Sequence, residues 1–389
     1  MIYNFIQNEQ FQAKEVTMQV IDRLYKDYRP LYPIEEFCPV GQALFIDIET
    51  TGLKKETTSL YLIGCGHYTA EGFATKLFFA ETGAEEALIL SAFDSFARSF
   101  THLFHFNGNK FDIPYLLYKA GLYDMDGFLK DTVQIDIYRL CKPLRYLLFP
   151  ETMRQKAIEE FLGIGREDKY TGGELIEVYQ EYEKRPTDQA FCDLITHNRE
   201  DVLGMHKIMP ILYYLSFKDA PLSYVGYHTN RYSDYTGIEH EEVIFEYRTD
   251  ISFPRSFTAK TETMYVKASC DDGKILIRLP IHDQEMKIYF DNYRDYCYLP
   301  EEDTAILKTL AYSLPKGRYQ KATRDTAYQR VSGTFLKQPH SLFKPVLCTD
   351  RKDKKKYFRF PEDFNKEAAE EFGRSLINIF FCMKRTSST

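Results

Sequence analysis

Acidic side chains at three separated places carry the chemistry this chain could do. The first pair, Asp47 and Glu49, interrupts an apolar, β-prone run that begins at Ala43 and reads Phe45-Ile46-Asp47-Ile48-Glu49-Thr50-Thr51-Gly52-Leu53. In a strand, residues two apart point to the same face, so the two carboxylates project side by side. On a core strand such a pair repels and loses hydration, so unless one acid is protonated it needs a cation. The alternative is an edge strand with both acids in water, the usual place for Asp and Glu. In the second stretch an apolar run breaks at Asn107-Gly108 and restarts as a helix with Asp112 near its beginning. The third is His197-Asn198-Arg199-Glu200-Asp201, inside a helical pattern over about 188–214. His197 and Asp201 stand four apart, one turn apart on one helix face. A strand, a helix start and a late helix can bring Asp47, Glu49, Asp112 and Asp201 together, with His197 one turn away, and that convergence points to a metal site.

Each of these residues also has a plainer use. Asp112 could serve as the N-cap of the helix that contains Pro114. Asp201 could be a surface acid, although its neighbours Leu194, Ile195, Val202 and Met205 argue against full exposure. A lone helix histidine is most often satisfied by a backbone carbonyl. Glu200 is rotated about 100° from Asp201 on a helix and is expected to face solvent. Asp136 is expected to cap a turn or pair with Arg139.

With these motifs in order, the chain resembles the DEDD-type 3′–5′ exonucleases of the ribonuclease-H-like superfamily. Asp47 and Glu49 match the first motif, Asp112 the second and Asp201 the third. Within the superfamily it is most similar to the bacterial YprB-like predicted exonucleases, through the His197-Asn198-x-x-Asp201 form of the third motif, the Leu162-Gly163-Ile164-Gly165-Arg166 segment and the Tyr179/Tyr182 helix before it. Members of other branches carry Tyr four residues before the last Asp or His five before it; here His sits at the four-residue spacing. The likeness covers roughly 40–215. It implies two-metal phosphodiester hydrolysis, in which divalent ions about 4 Å apart activate a water and neutralise charge on the phosphoryl and leaving oxygens. Mg²⁺ or Mn²⁺ suits four carboxylates and no cysteine. His197, with an ordinary pKa near 6.5, is then the general base or the residue that orients the water. By the same resemblance Thr50, Leu53, Asn107 and Phe111 match positions that cradle or wedge the terminal nucleotide; by themselves, Thr50 to Gly52 could be a turn, and Leu53 and Phe111 core.

The elements needed to position these groups can be read from patterning. After the run at 43–50, residues 60–69 and 73–80 read as two further strands around Ala70-Glu71-Gly72, and 84–100 has helical spacing. Residues 103–106 form a short buried strand, 133–137 another, and 152–162 a helix. The order β-β-β-α-β-α predicts an α/β fold with a mixed sheet flanked by helices over 41–216. Residues 1–40 read as a helical lead-in, with the helix over 11–28.

The chain has 389 residues, 44% of them hydrophobic, with 30 Tyr and 30 Phe, which indicates folded domains with ample core. No apolar run approaches the roughly 20 residues of a membrane span, and the polar start lacks a signal-peptide pattern, so a cytoplasmic location without membrane partners is expected. The eight cysteines are scattered, with no zinc spacing, and read as reduced thiols. A Walker loop and a dinucleotide fingerprint are both lacking.

Beyond 216 the pattern changes to an α+β accessory domain over 217–389. Strands are expected at 243–248, 264–270, 274–281 and 285–290, tight connections at 271–273 and 282–284, and helices at 301–314 and 365–383. The chain is acidic, with a net charge of −7, yet residues 311–360 hold thirteen Lys and Arg against three Asp. Tyr312, Tyr319, Tyr328, Phe335, Phe343, Tyr357 and Phe358 are interleaved with these cations. Cations on phosphates with aromatics under bases is a common way to hold single strands, so Arg318, Lys321, Arg324 and Arg330 are candidate substrate contacts. A solvated basic surface over an aromatic core is the bland alternative, and for Lys354-Lys355-Lys356 an exposed turn. The leading reading is a metal-dependent 3′–5′ exonuclease acting on DNA or RNA 3′ ends, single-stranded DNA slightly favoured. The competing ones are a structure-specific endonuclease on the same fold and a non-catalytic nucleic-acid-binding protein; the latter has no need of four convergent carboxylates.

Overall fold

The computed structural model describes residues 18–149, 151–360 and 364–383. The chain divides into two compact units, one of residues 1–142 with 152–212 and one of 143–151 with 213–389. The short excursion at 143–151 had no signal in the sequence.

In the first unit, elements follow as β1 Gln19–Lys26, β2 Ala43–Thr50, β3 Leu60–Tyr68, β4 Gly72–Phe79, α1 Glu86–Ala97, β5 His102–His105, α2 Asp112–Leu122, β6 Val133–Asp136 and α3 Ile137–Cys141. After α4 Arg145–Leu148, which belongs to the second unit, come α5 Gln155–Leu162, α6 Gly172–Lys184 and α7 Asp188–Ile208. The strands form one mixed sheet in the order β1-β4-β3-β2-β5-β6. The meander β2-β3-β4 is antiparallel, whereas β5 and β6 add in parallel beside β2. The mixed sheet flanked by helices is therefore as the patterning predicts.

Strand β2 is nearly all buried because both of its faces are covered. Leu44, Ile46 and Ile48 join the main apolar cluster, together with Ile89, Leu90 and Phe93 of α1. Phe45 instead packs on Tyr68, Phe73 and Phe104. Helix α7 packs against β2, β3 and β4. The close approach is possible because β3 carries glycines: a Cβ at Gly64 would lie 1.9 Å from Asn198 Oδ1, and one at Gly66 2.5 Å from Val202 Cγ1.

The helix expected over 11–28 is corrected where it can be seen; its residues 11–17 lie outside the described ones. Gln19–Lys26 is an edge strand paired antiparallel with β4, and Asp22 stands opposite Lys76 with an ion pair of 2.6 Å. The open edge of β4 supplies hydrogen bonds that a polar, partly β-branched segment can take, so tertiary pairing overrides a weak helical pattern.

The second unit is richer in sheet than expected. A five-stranded antiparallel sheet has the order β7 Ser223–Ser233, β8 Glu239–Arg248, β11 Lys274–Pro280, β10 Met264–Ala268, β9 Phe257–Thr261. A second sheet joins β12 His282–Tyr289, β16 Tyr328–Gln338 and β17 Lys356–Arg359, and a third joins β14 Thr304–Leu307, β13 Tyr296–Leu299 and β15 Gln320–Lys321. Helix α9, Lys366–Cys382, packs beside β7. Two expectations are corrected here. Residues 282–284 are not a connection but the start of β12, with His282 opposite Phe335, because the chain changes sheets directly after Pro280. The helix expected over 301–314 shrinks to one turn, α8 Lys308–Ala311, because Thr304–Leu307 is taken up in a hairpin with β13 after Asp303 at φ 49°.

Candidate active site

Asp47 and Glu49 lie on one face of β2 near its carboxyl end, as the alternation requires, and the helix α7 crosses that face. The Asn198 amide Nδ2 donates to Asp47 Oδ2 at 2.8 Å and fixes that carboxylate. Strand β5 pairs with β2 only as far as Phe45. The chain beyond β5 turns through Asn107, whose φ is 63°, and enters α2 at Asp112. The Asp112 carboxylate accepts a hydrogen bond from the backbone N–H of Ile48, which ties the helix start to β2. Asp201 and His197 come from adjacent turns of α7. Asp47, Glu49, Asp112, Asp201 and His197 therefore line one cleft, of about 420 Å³, together with Phe106, Asn107, Phe111, Arg154, Lys156, Thr171 and Gly172.

Within the cleft Glu49, His197 and Asp201 each offer one donor atom, all within 4.8 Å of one another. His197 Nε2 stands 3.2 Å from Asp201 Oδ2 and 3.7 Å from Glu49 Oε1. Its other nitrogen, Nδ1, stands 2.9 Å from Asp168 Oδ2. The second Asp201 oxygen, Oδ1, accepts from Arg166 Nη2 at 2.6 Å. Arg166 also grips the buried Glu159 with two nitrogens.

Burial is the largest influence on the carboxyls and pushes their pKa values up. Asp47 is held well above the usual range by burial, then by the charges of Asp201, Glu49 and Asp112. Glu49 is raised likewise by burial and by Asp201 and Asp112. Asp112 is pushed up to about 7, with burial outweighing the backbone N–H groups that stabilise its charge. Clustered, desolvated carboxylates that resist ionisation gain from a cation among them, so hard oxygen donors and a burial-raised cluster both fit a divalent ion.

The sequence-expected cleft residues separate. Asn107 and Phe111 line the cleft, half-buried. Thr50 is buried and its hydroxyl donates to Gly52 O at 2.8 Å, a turn contact. Leu53 is 81% exposed on the following loop. Neither is among the residues lining the cleft. Asp136 does as expected: it caps α3 through Arg139 N, faces Arg139 Nε at 3.7 Å and also accepts from Asn107 N. Glu200, expected to face solvent, is half-buried. It accepts from Glu167 N and Asp168 N and so holds the 166–168 segment against α7.

The four expected basic contacts belong to the second unit. Arg318 pairs with Glu301 and Glu302, and Arg330 with Glu285 and Asp303. Arg324 lies over the Tyr293 ring at 5.7 Å, and Lys321 is exposed on β15.

Sequence reasoning passed over Arg154, Lys156 and Asp168 and used Arg166 only as part of a likeness. For Arg166 and Asp168 the signal is the charge density of Gly165-Arg166-Glu167-Asp168-Lys169 just after Gly163, whose φ of 76° closes α5. Charges packed that closely after a helix stop need partners: Arg166 meets Asp201 of α7, and Asp168 meets Lys156 of α5.

A family model described as RNase_H superfamily matches residues 44–213. No curated protein matches the sequence. Among solved structures, the chain is similar to the family B DNA polymerase from the hyperthermophilic archaeon Pyrobaculum calidifontis. Identity there is 12% and the TM-score 0.36, and the match covers 92% of this chain but only 50% of the polymerase. It is also similar to E. coli Exonuclease I in complex with a 5cy-dA13 oligonucleotide, at 14% identity and a TM-score of 0.25 over 89% of this chain and 75% of that one. A structure titled ExoI/SSB-Ct complex gives 14% identity and a TM-score of 0.26, over 89% and 76% of the two chains.

Proposed function

From an RNase H-like domain over residues 44–213, we propose that this protein is a metal-dependent nuclease that removes nucleotides from nucleic-acid 3′ ends, with single-stranded DNA the favoured substrate. The observation that carries the reading is the convergence of Asp47, Glu49, Asp112 and Asp201 in one cleft, where burial and the neighbouring acids raise the carboxyls of Asp47, Glu49 and Asp112.

Asp47, Glu49, Asp112 and Asp201 are the residues that would hold Mg²⁺ or Mn²⁺, which when bound activates water and neutralises charge on the phosphoryl and leaving oxygens. The chain's own groups prepare for this. Asn198 fixes the Asp47 carboxylate, and Arg166 fixes one oxygen of Asp201, leaving the other toward the cleft. His197 presents Nε2 between Glu49 and Asp201 and takes the proton of the attacking water. Phe106 and Phe111 offer ring faces for the terminal bases, and Arg154 and Lys156 bring positive charge to the same cleft for the phosphates.

The test is incubation of the protein with 3′- and 5′-labelled single- and double-stranded DNA and RNA, with Mn²⁺ or EDTA. Metal-dependent shortening from the 3′ end, fastest on single-stranded DNA, is expected. Internal cuts would favour an endonuclease, and binding without cleavage in Mn²⁺ would sink the catalytic reading.

A further inference from the structure

The flank of α7 turned away from the cleft carries a cation that the fold does not neutralise. Arg199 is two residues from both His197 and Asp201, so at about 100° per residue it projects from the far side of the helix. His206, seven residues on and therefore on that same side, stacks on Phe73 of β4 at 4.8 Å and meets Tyr28 at 6.0 Å. Among the neighbours of Arg199 across this gap are Tyr25 and Arg23 of the edge strand β1. They stand two apart and so share one face of β1, while Asp22, on the other face, is taken by Lys76. Arg199 is half-buried, and its Nε is shut off from solvent without a hydrogen-bond partner. Among the described residues no acid comes within 4.0 Å of its guanidinium. The adjacent Glu200 is engaged by the N–H groups of Glu167 and Asp168.

Two more cations and two rings complete this surface. Arg23 Cζ lies over the Tyr25 ring at 5.0 Å, Lys207 Nζ lies over the Tyr28 ring at 6.0 Å, and the two ring centroids are 5.4 Å apart. Arg23 and Lys207 also have no acid within 4.0 Å among the described residues. Arg23 is exposed and Tyr28 is 36% exposed. We infer that the β1–α7 surface binds single-stranded nucleic acid outside the cleft. A half-buried guanidinium beside a second cation, with no counter-charge, is unfavourable, and an anion arriving from solution relieves it. The cations do not converge on one point, since Arg199 and Lys207 are eight residues, about 12 Å, apart along α7. The anion they suit is therefore a chain of repeated charges and not a single phosphate. Rings set between the cations match a chain whose charges alternate with flat bases, whereas an acidic peptide would use the cations alone. This inference stands on the charge pattern and is independent of the chemistry of the cleft.

The test follows the fluorescence anisotropy of a labelled oligothymidylate of roughly 20 nucleotides with the full-length protein in EDTA, at several salt concentrations. The wild type should bind it with salt-dependent affinity. Combining Arg23→Ala, Arg199→Met and Lys207→Ala should weaken binding and flatten the log–log salt dependence by about 0.7 unit per lost contact, about 2 units in all. Arg23→Ala alone, a change at an exposed side chain, should give one such step even if the triple variant fails to fold. Arg199→Lys, which keeps the charge, should keep the slope. Tyr28→Ala should weaken binding about 5-fold or more at unchanged slope, through loss of a stacked base. Because Arg199→Met removes an unpaired, half-buried charge, the free variant should melt at the wild-type temperature or above it. Titrations of Arg23→Ala and of the triple variant that superimpose on the wild type overturn the inference. So does a lower melting temperature of Arg199→Met with binding intact, which would make Arg199 structural. Polyglutamate that displaces the oligonucleotide equally well from the wild type and from Tyr28→Ala would overturn it in favour of an acidic protein partner. No cleavage is read, so failure of the nuclease reading leaves these outcomes unchanged, and their failure leaves that reading in place.

Discussion

Asp201 divides its two oxygens between Arg166 and His197, so its removal should cost more than one ligand. Asp201→Ala and Asp47→Ala are expected to abolish hydrolysis while leaving the melting temperature of the EDTA-treated protein equal to the wild type or higher, because deleting a clustered carboxylate relieves repulsion. Near-normal turnover in either purified variant would end the catalytic assignment. Asp112 gives a pH signature. Its folded value, about 7, lies above its ordinary 3.8, so the folded state binds the extra proton between the two. Its contribution to stability is fully present below about pH 4 and is lost as pH rises through 7. In EDTA, the melting temperature of Asp112→Asn relative to wild type should therefore climb between pH 4 and 8, and a flat difference would refute the raised value. His197→Ala should lower kcat by roughly 10²–10⁴-fold, the usual worth of a placed base, with divalent-ion affinity unchanged. Calorimetry showing ion binding lost with the histidine would instead join it to Glu49 and Asp201 as a ligand, a role their 4.8 Å grouping permits.

At the scale of elements, the site depends on how closely α7 lies on the sheet. Gly64 of β3 is in contact with the Asn198 amide, and any Cβ there would stand 1.9 Å from Oδ1 and 2.9 Å from Val202 Cγ2. Gly204 plays the same part between α7 and α5, where a Cβ would meet Glu159 Oε1 at 2.1 Å. Gly64→Ala should push α7 outward and shift Asn198 off Asp47, with His197 and Asp201 following as parts of the same rigid helix. Overpacking of this kind costs about 1–3 kcal/mol. Thermal melting and single-turnover cleavage should both register it, the second more severely than the stability loss explains. Wild-type cleavage in a destabilised Gly64→Ala protein would show that helix placement tolerates more slack than the geometry implies.

At the scale of the whole molecule, no helix among the described residues is long and apolar enough to cross a membrane. The positive charge concentrated in 311–360 is partly spent inside the second unit. Arg318 and Arg330 are matched by Glu301, Glu302, Glu285 and Asp303. Among the described residues, Lys321 and Arg324 have no acid within 4.0 Å. If this segment holds the substrate strand, Lys321→Ala with Arg324→Ala should weaken binding of a labelled single strand and flatten its salt dependence by somewhat under one unit of log–log slope per lost contact. The Arg318/Arg330 double variant should do less, because phosphates there must compete with carboxylates. Titrations at several salt concentrations with Ca²⁺ in place of Mn²⁺ decide it, and curves that superimpose on the wild type in both variants would leave the basic segment as plain solvated surface.

The amino-acid sequence by itself determined the sheet meander, the helix that carries His197 and Asp201, and the four acids. Each of these rests on local periodicity: two residues in a strand, 3.6 in a helix, with charges placed where apolar residues were due. It also pointed to Asp136 as a turn cap or a partner of Arg139, and the structure has it do both. Only the tertiary structure decided that Gln19–Lys26 is a strand, since its state depends on an edge of β4 more than fifty residues away in the chain. Only it decided that Thr304–Leu307 pairs with β13 instead of extending a helix. The second tier of the site was hidden for the same reason. Arg166, Asp168 and Glu200 look like surface charges in a linear reading, and what gives them roles is the packing of the 166–170 segment over α7, which brings each charge the partners it needs.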